Sequence, residues 1–147
     1  MTDSRFLQVA LEEARVGADE GGIPIGSVLV IHGEVVGRGH NRRVQQGSAV
    51  LHAEMDALED AGRRTAAEYR RSTLYSTLSP CEMCSGAVLL YGIPTVVVGE
   101  HRTFQGPESY LRSRNVEVVV LDDPDCLRLM TRFIAEHPDL WNEDIGE

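Results

Sequence analysis

Four residues in two short stretches are equipped for metal-assisted hydrolysis. His52 and Glu54 lie in Leu51-His52-Ala53-Glu54-Met55-Asp56-Ala57-Leu58, and Cys81 and Cys84 in Ser79-Pro80-Cys81-Glu82-Met83-Cys84. One imidazole and two thiols form a zinc donor set, and a catalytic zinc site keeps its fourth position for water. The chain has no second CxxC and no HxxxH to close that shell. Glu54, two residues from His52, can pass protons between the water and a substrate without binding the metal. A structural zinc ribbon, or two helix-start cysteines with no metal, is the plainer alternative. The order HAE then SPCEMC, with Cys81 placed 27 positions after Glu54, weighs against it.

Helix rules say what must hold these residues. Ser79 is expected to cap a helix with Pro80 in its first turn, where a missing N–H costs nothing. Cys81 and Cys84 then stand at i and i+3 on one face, near the positive end of the helix dipole, which favours the thiolate. His52 opens a second helix of good helix formers that Gly62 stops. Two helix starts facing each other make the site.

Around them, residues 4–20 read as an amphipathic helix with Phe6, Leu7, Ala10, Leu11 and Ala14 at helical spacing, ended by Gly21-Gly22. Residues 25–31 form an apolar strand, and a turn at His32-Gly33 leads to a hairpin partner at 34–38. A polar loop follows to His52; within it Asn41, taken alone, reads equally well as a turn residue. A charged link reaches a strand at 72–77, and the Cys81 helix runs to about Tyr91. Strands at 95–98 and 117–121 flank a loop carrying Phe104 and a helix from about 107 to 114. Pro124 opens a last long helix with Leu127, Met130 and Ile134 on one stripe. This alternation predicts a largely parallel sheet covered on both faces. His32 reads as exposed and inert, and Cys126 as a core thiol.

The 147 residues suit one domain with a real core, and 42% hydrophobic with 25% charged residues fits a soluble globular protein. No apolar run approaches the ~20 residues of a membrane span, and Met1-Thr2-Asp3-Ser4-Arg5 does not read as a signal peptide. Three cysteines, two of them metal candidates, point to a reducing cytoplasm. All 14 positive residues are Arg, so lysine Schiff-base chemistry is excluded. A net charge of −9 makes nucleic acid an unlikely partner, since phosphate is met by cationic groups. The pairs Arg42-Arg43, Arg63-Arg64 and Arg70-Arg71 read as solvated or ion-paired faces.

HAE with SPCEMC matches the HxE and PCxxC signature of zinc deaminases, in which the Glu is the general acid/base. Beyond it, the chain resembles the small fungal-type cytosine deaminases of the cytidine deaminase-like superfamily. The likeness runs through Glu20-Gly21-Gly22-Ile23-Pro24-Ile25-Gly26, Gly37-Arg38-Gly39-His40-Asn41, Thr77-Leu78-Ser79-Pro80-Cys81, Leu90-Tyr91-Gly92-Ile93-Pro94 and Glu143-Asp144-Ile145-Gly146-Glu147. The resemblance implies a three-layer α/β/α domain over residues 1–147 with a five-stranded mixed sheet between helices, and residues 137–147 as a C-terminal lid. It implies a homodimer, one Zn2+ per chain with its water, and a place in pyrimidine salvage. His52, Cys81 and Cys84 match zinc ligands and Glu54 the proton shuttle. Asn41 and the backbone N–H of Ala53 match the groups that bind the pyrimidine edge. Asp144 matches the acceptor of the substrate amino group. Phe104, Trp141 and Ile25 match apolar walls, and Ser79 offers a carbonyl near the leaving amine.

The chain departs from fungal-type members in places. Ala53 stands where they usually carry glycine, the segment at Gln105-Gly106-Pro107 is one residue shorter, and Arg43-Val44 replaces a more aromatic stretch. The HAE form is common in relatives acting on guanine or on tRNA adenosine. The expected reaction is therefore cytosine to uracil plus ammonia, with isocytosine, guanine or creatinine as alternative small-molecule substrates. A tRNA adenosine deaminase is the more distant option. A non-catalytic zinc module leaves Glu54 without a purpose.

Overall fold

The computed structural model describes residues 3–147; Met1 and Thr2, part of the segment judged not to be a signal peptide, lie outside them. Thirteen elements follow one another: α1 (Ser4–Asp19), β1 (Gly26–Ile31), β2 (Glu34–His40), α2 (Arg43–Gln46), α3 (Ala53–Ala61), α4 (Ala66–Tyr69), β3 (Ser72–Leu78), α5 (Glu82–Tyr91), β4 (Thr95–Glu100), α6 (Glu108–Ser113), β5 (Glu117–Val120), α7 (Pro124–Glu136) and α8 (Pro138–Asp144). Three short helices were not expected. One is α2 within the polar loop, and a second is α8 within the C-terminal segment. The third is α4 within the charged link, where Thr65 and Glu68 form a reciprocal capping box.

The sheet has the order β2-β1-β3-β4-β5. It is mixed, as the family resemblance implied, and not largely parallel: β1 pairs antiparallel with both β2 and β3, while β3-β4 and β4-β5 are parallel. The β1–β2 hairpin occupies the part of the chain before strict helix–strand alternation begins, and the α3 crossover from β2 to β3 passes over β1. Alternating strand residues feed two cores. Leu29, Leu74, Val96 and Val98 pack with Val88 and Leu111 on the α5 and α6 side. Val28, Val30, Tyr75 and Val97 pack with Leu7 and Leu11 of α1 and Cys126 of α7 on the other. Cys126 is the buried thiol expected, and burial raises its pKa. On α7 the buried stripe is Cys126, Met130 and Phe133 rather than Leu127 and Ile134.

A third apolar cluster closes one end of the sheet, where Ile23, Ile25, Ala53, Leu78, Met130, Phe133 and Trp141 meet, with Phe104 and Ile145 packed against them. The functional residues gather over this end. Among the described residues no helix is long and apolar enough to cross a membrane.

Candidate active site

Both metal-ligand stretches sit at helix starts, but the cap differs from expectation. Cys81, not Ser79, occupies the N-cap of α5, so the helix begins at Glu82 and Pro80 precedes it. Ser79 stays extended because its N–H donates to the Glu100 carbonyl (3.1 Å) and its hydroxyl donates to Glu108 Oε2 (2.6 Å). The i, i+3 pairing of Cys81 and Cys84 survives the shift, since N-cap and third helical residue share a face. His52 is the N-cap of α3.

His52 Nδ1 lies 3.4 Å from Cys81 Sγ and 3.8 Å from Cys84 Sγ. All three donor atoms fall within 4.8 Å of one another. Tetrahedral zinc, with bonds of about 2.0 Å to nitrogen and 2.3 Å to sulfur, spaces such donors by about 3.5 Å. The three residues therefore fit one zinc ion. Hydrogen bonds from Cys84 and His52 outweigh burial and hold the Cys81 pKa down to about 4, so the thiolate needed for ligation is favoured. The neighbouring Cys84 thiol is pushed the other way by Cys81 and by burial. Burial would lower the His52 pKa, but hydrogen bonds with Asp144 and Cys81 raise it to about 10.

Glu54 is 4% exposed and stands within the same cleft. Burial raises its pKa to about 7, against the pull of His52 and with the push of Cys81. A carboxyl group poised near neutrality accepts and returns a proton with little driving force either way, as acid/base catalysis at pH 7 requires.

A narrow cleft brings Ile25, His52, Glu54, Ser79, Cys81, Phe104, Trp141 and Asp144 together. Leu78 and Ile145, which sequence reasoning missed, complete its lining. Cys84, Ala53 and Asn41 lie just behind. Cys84 joins the donor cluster, and Ala53 is buried beside Ile25 and Trp141. Asn41 directs Nδ2 at Asp144, 3.3 Å from Oδ2. Asn41 is also a turn residue, because its Oδ1 accepts the Arg43 N–H at 2.9 Å. The turn reading of this residue therefore holds, and the same bond fixes which end of the amide is turned toward Asp144. Asp144 closes a line from Asn41 to the metal residues, with its Oδ1 3.1 Å from His52 Nε2.

The walls are held from behind. Phe104 meets Trp141 edge to face, ring centroids 6.0 Å apart. The loop carrying Phe104 is fastened at each end by a fully buried carboxylate. Glu100 accepts the N–H groups of Arg102 and Thr103 at 2.8 and 3.0 Å and the Thr103 hydroxyl. Glu108 accepts from Ser79, whose hydroxyl oxygen in turn accepts the Gly106 N–H at 3.0 Å. Neither glutamate was picked out from the sequence. Burial, which only the fold reveals, separates them from surface acids.

Comparisons with known proteins agree with this geometry. The sequence profile of the cytidine and deoxycytidylate deaminase zinc-binding region matches residues 1–100. A cytosine deaminase from Candida albicans is 53% identical over 146 residues, covering 99% of this chain and 97% of its own. A tRNA-specific adenosine deaminase from Streptococcus pyogenes is 42% identical over 142 residues, 89% of each chain. Among solved structures, a guanine deaminase from Nitrosomonas europaea superposes with a TM-score of 0.76 over 91% of this chain and 85% of its own, at 23% identity. That likeness concerns the fold.

Proposed function

The chain belongs to the cytidine and deoxycytidylate deaminase zinc-binding family, and we propose that its reaction is the hydrolytic deamination of cytosine to uracil and ammonia. The observation that carries this reading is the line Asn41–Asp144–His52, which sets an amide donor and a carboxylate acceptor beside the metal residues and Glu54. A pyrimidine amide edge needs such a pair, and a site built so rejects rings lacking the matching groups, whose absence leaves buried polar atoms unpaired.

Zinc held by His52, Cys81 and Cys84 supplies the Lewis acidity that makes water a nucleophile near neutral pH. Glu54 takes a proton from the attacking water and delivers it to N3 of the ring as the C4–O bond forms. It then transfers the second water proton to the amino group, the C4–N bond breaks, and ammonia leaves as the C4 carbonyl is restored. Asn41 Nδ2 and the Ala53 N–H hold the other ring edge, and Asp144 takes a hydrogen bond from the amino group. The Ser79 carbonyl lies beside the departing ammonia. Ile25, Phe104 and Trp141 sandwich the ring. Residues 137–147 act as a lid of the single domain.

The 53% identity to a cytosine deaminase supports this choice of base, and the charge of −9 disfavours a tRNA partner. The homodimer and a reducing, cytoplasmic setting belong to the same proposal. The exposed Leu90 and Tyr91 offer apolar surface for the former, which sedimentation tests directly.

The test is ammonia release by zinc-loaded protein from cytosine, isocytosine, guanine, cytidine, adenosine and creatinine. Turnover of cytosine and not cytidine is expected, and would mark the cleft as closed to a ribose. Activity on another ring alone keeps the chemistry and replaces the substrate. Silence on all six, with salt-sensitive tRNA binding, overturns the reading.

A further inference from the structure

We propose that Asp56 is a positioning residue for the base-reading amide of Asn41, and that it sets the distance between that amide and the metal-bearing helix. The inference rests on Asn41 reading the substrate edge, as proposed above.

Asn41 leaves the end of β2, the edge strand of the sheet, and two of its hydrogen bonds tie it to the β1 side and to its own turn. Its N–H donates to the Ile25 carbonyl at 3.0 Å, and Arg43 fixes its Oδ1. What sets the segment's height over α3 is a side chain four residues beyond His52. Asp56 Oδ2 accepts the His40 N–H at 3.0 Å and Arg42 Nε at 2.8 Å. One oxygen thus grips the residues immediately before and after Asn41. The Asp56 N–H in turn donates to the His52 carbonyl at 2.9 Å. The carboxylate, the metal-ligand residue and Glu54 therefore belong to the same first turn of α3, and the Asn41 segment is tied to that turn by this carboxylate as well as by the Arg42 N–H, which donates to the Leu51 carbonyl at 2.9 Å.

The backbone is shaped for this grip. A Cβ at Gly39 would lie 2.6 Å from the Ala57 nitrogen and 2.6 Å from Asp56 Oδ2. Glycine there lets β2 lie flush on α3, close enough for an aspartate, the shortest carboxylate, to reach the His40 N–H. An ordinary partly exposed Asp–Arg pair is worth little, and the Arg42 contact alone would be unremarkable surface chemistry. The bond to an edge-strand N–H that has no strand partner on that side makes the contact directional. His40 itself is held from beneath, with Nδ1 2.9 Å from Glu13 and Nε2 2.8 Å from Glu20, so the Asp56 bonds act on a segment already fixed on its α1 side and set its position relative to α3.

The experiment is a double-mutant cycle with Asn41→Ala on kcat/KM for cytosine, with zinc content and Tm read in parallel. Asp56→Ala, or the similarly branched Asp56→Leu where alanine fails to fold, is expected to lower kcat/KM at least about tenfold, mainly through KM, with one zinc per chain retained. In the Asn41→Ala background the same change should alter kcat/KM less than about twofold, while the drop in Tm remains additive. Asp56→Asn, which keeps an acceptor oxygen, should recover most of the activity. Unchanged kcat/KM in Asp56→Ala, or an equal loss with and without Asn41, overturns the proposal. Wild-type protein inert on cytosine removes the functional reading beneath it, and the proposal with it.

Discussion

Asp144 Oδ1 lies 3.1 Å from His52 Nε2, the imidazole nitrogen opposite the one that faces the two cysteines. A carboxylate behind a metal-binding imidazole fixes its tautomer and raises its basicity. Asp144 comes from α8, so the C-terminal segment reaches the metal residues as well as the cleft. Replacing Asp144 by Ala should weaken zinc binding about 10- to 100-fold. Competition with a chromogenic chelator measures this, and an affinity equal to wild type would contradict the coupling.

Glu54 lines the cleft without belonging to the donor triad. The isosteric change Glu54→Gln should leave zinc stoichiometry intact and cut kcat by at least about 10²-fold, the ordinary yield of a positioned acid/base. Metal analysis beside steady-state kinetics decides it. Substantial turnover in the variant would assign the proton transfers elsewhere.

Gly106 is pressed against the turn that precedes Cys81. A Cβ there would lie 1.8 Å from the Pro80 carbonyl oxygen, a backbone atom that cannot step aside. Gly106→Ala is expected to cost about 1–3 kcal/mol as an overpacked site. The loop should lift, carrying Phe104 away from Trp141 and raising KM. Thermal melts and kinetics together test this; a variant that melts and turns over like wild type would show the loop to be pliant.

Glu13 gives the fold a pH dependence. Burial raises its pKa, but hydrogen bonds from His40 and Arg38 outweigh it and leave the group below the usual 4.5. A depressed carboxylate stabilises the folded state above the unfolded-state pKa, and that stability is lost as pH falls through the folded value. Urea midpoints should therefore fall below pH 4.5. Glu13→Gln should be less stable at pH 6 and show a shallower fall between pH 6 and 3.5. Parallel slopes in the two proteins would rule Glu13 out as a contributor.

How much was legible in the sequence depended on how local each constraint was. His52, Glu54, Cys81 and Cys84 declared themselves because ligand chemistry restricts type and spacing over a few residues. The cap assignment at Ser79 failed for a tertiary reason. Ser-Pro reads as a helix start, yet Glu100 and Glu108, 21 and 29 positions onward, hold Ser79 extended. Strand β2 ran two residues past its expected end because Gly39 and His40 stay paired with Ser27 and Gly26 of β1. Asn41, Asp144 and the aromatic walls were placed by family resemblance alone, since nothing in their local sequence brings positions 41, 104 and 144 together. The antiparallel start of the sheet was masked by the regular alternation of elements after it.

The buried anchors at Glu100 and Glu108 give the Phe104 loop the character of an exchangeable cassette. Its ends are fixed in the protein interior, whereas Arg102 and Gln105 between them are exposed. Diversity confined to positions 102, 104 and 105, with 100, 103, 106 and 108 kept, would reshape one wall of the cleft while leaving the donor triad and Glu54 unaltered. Such a library gives the scaffold a route to new ring specificities that does not pass through loss of its chemistry.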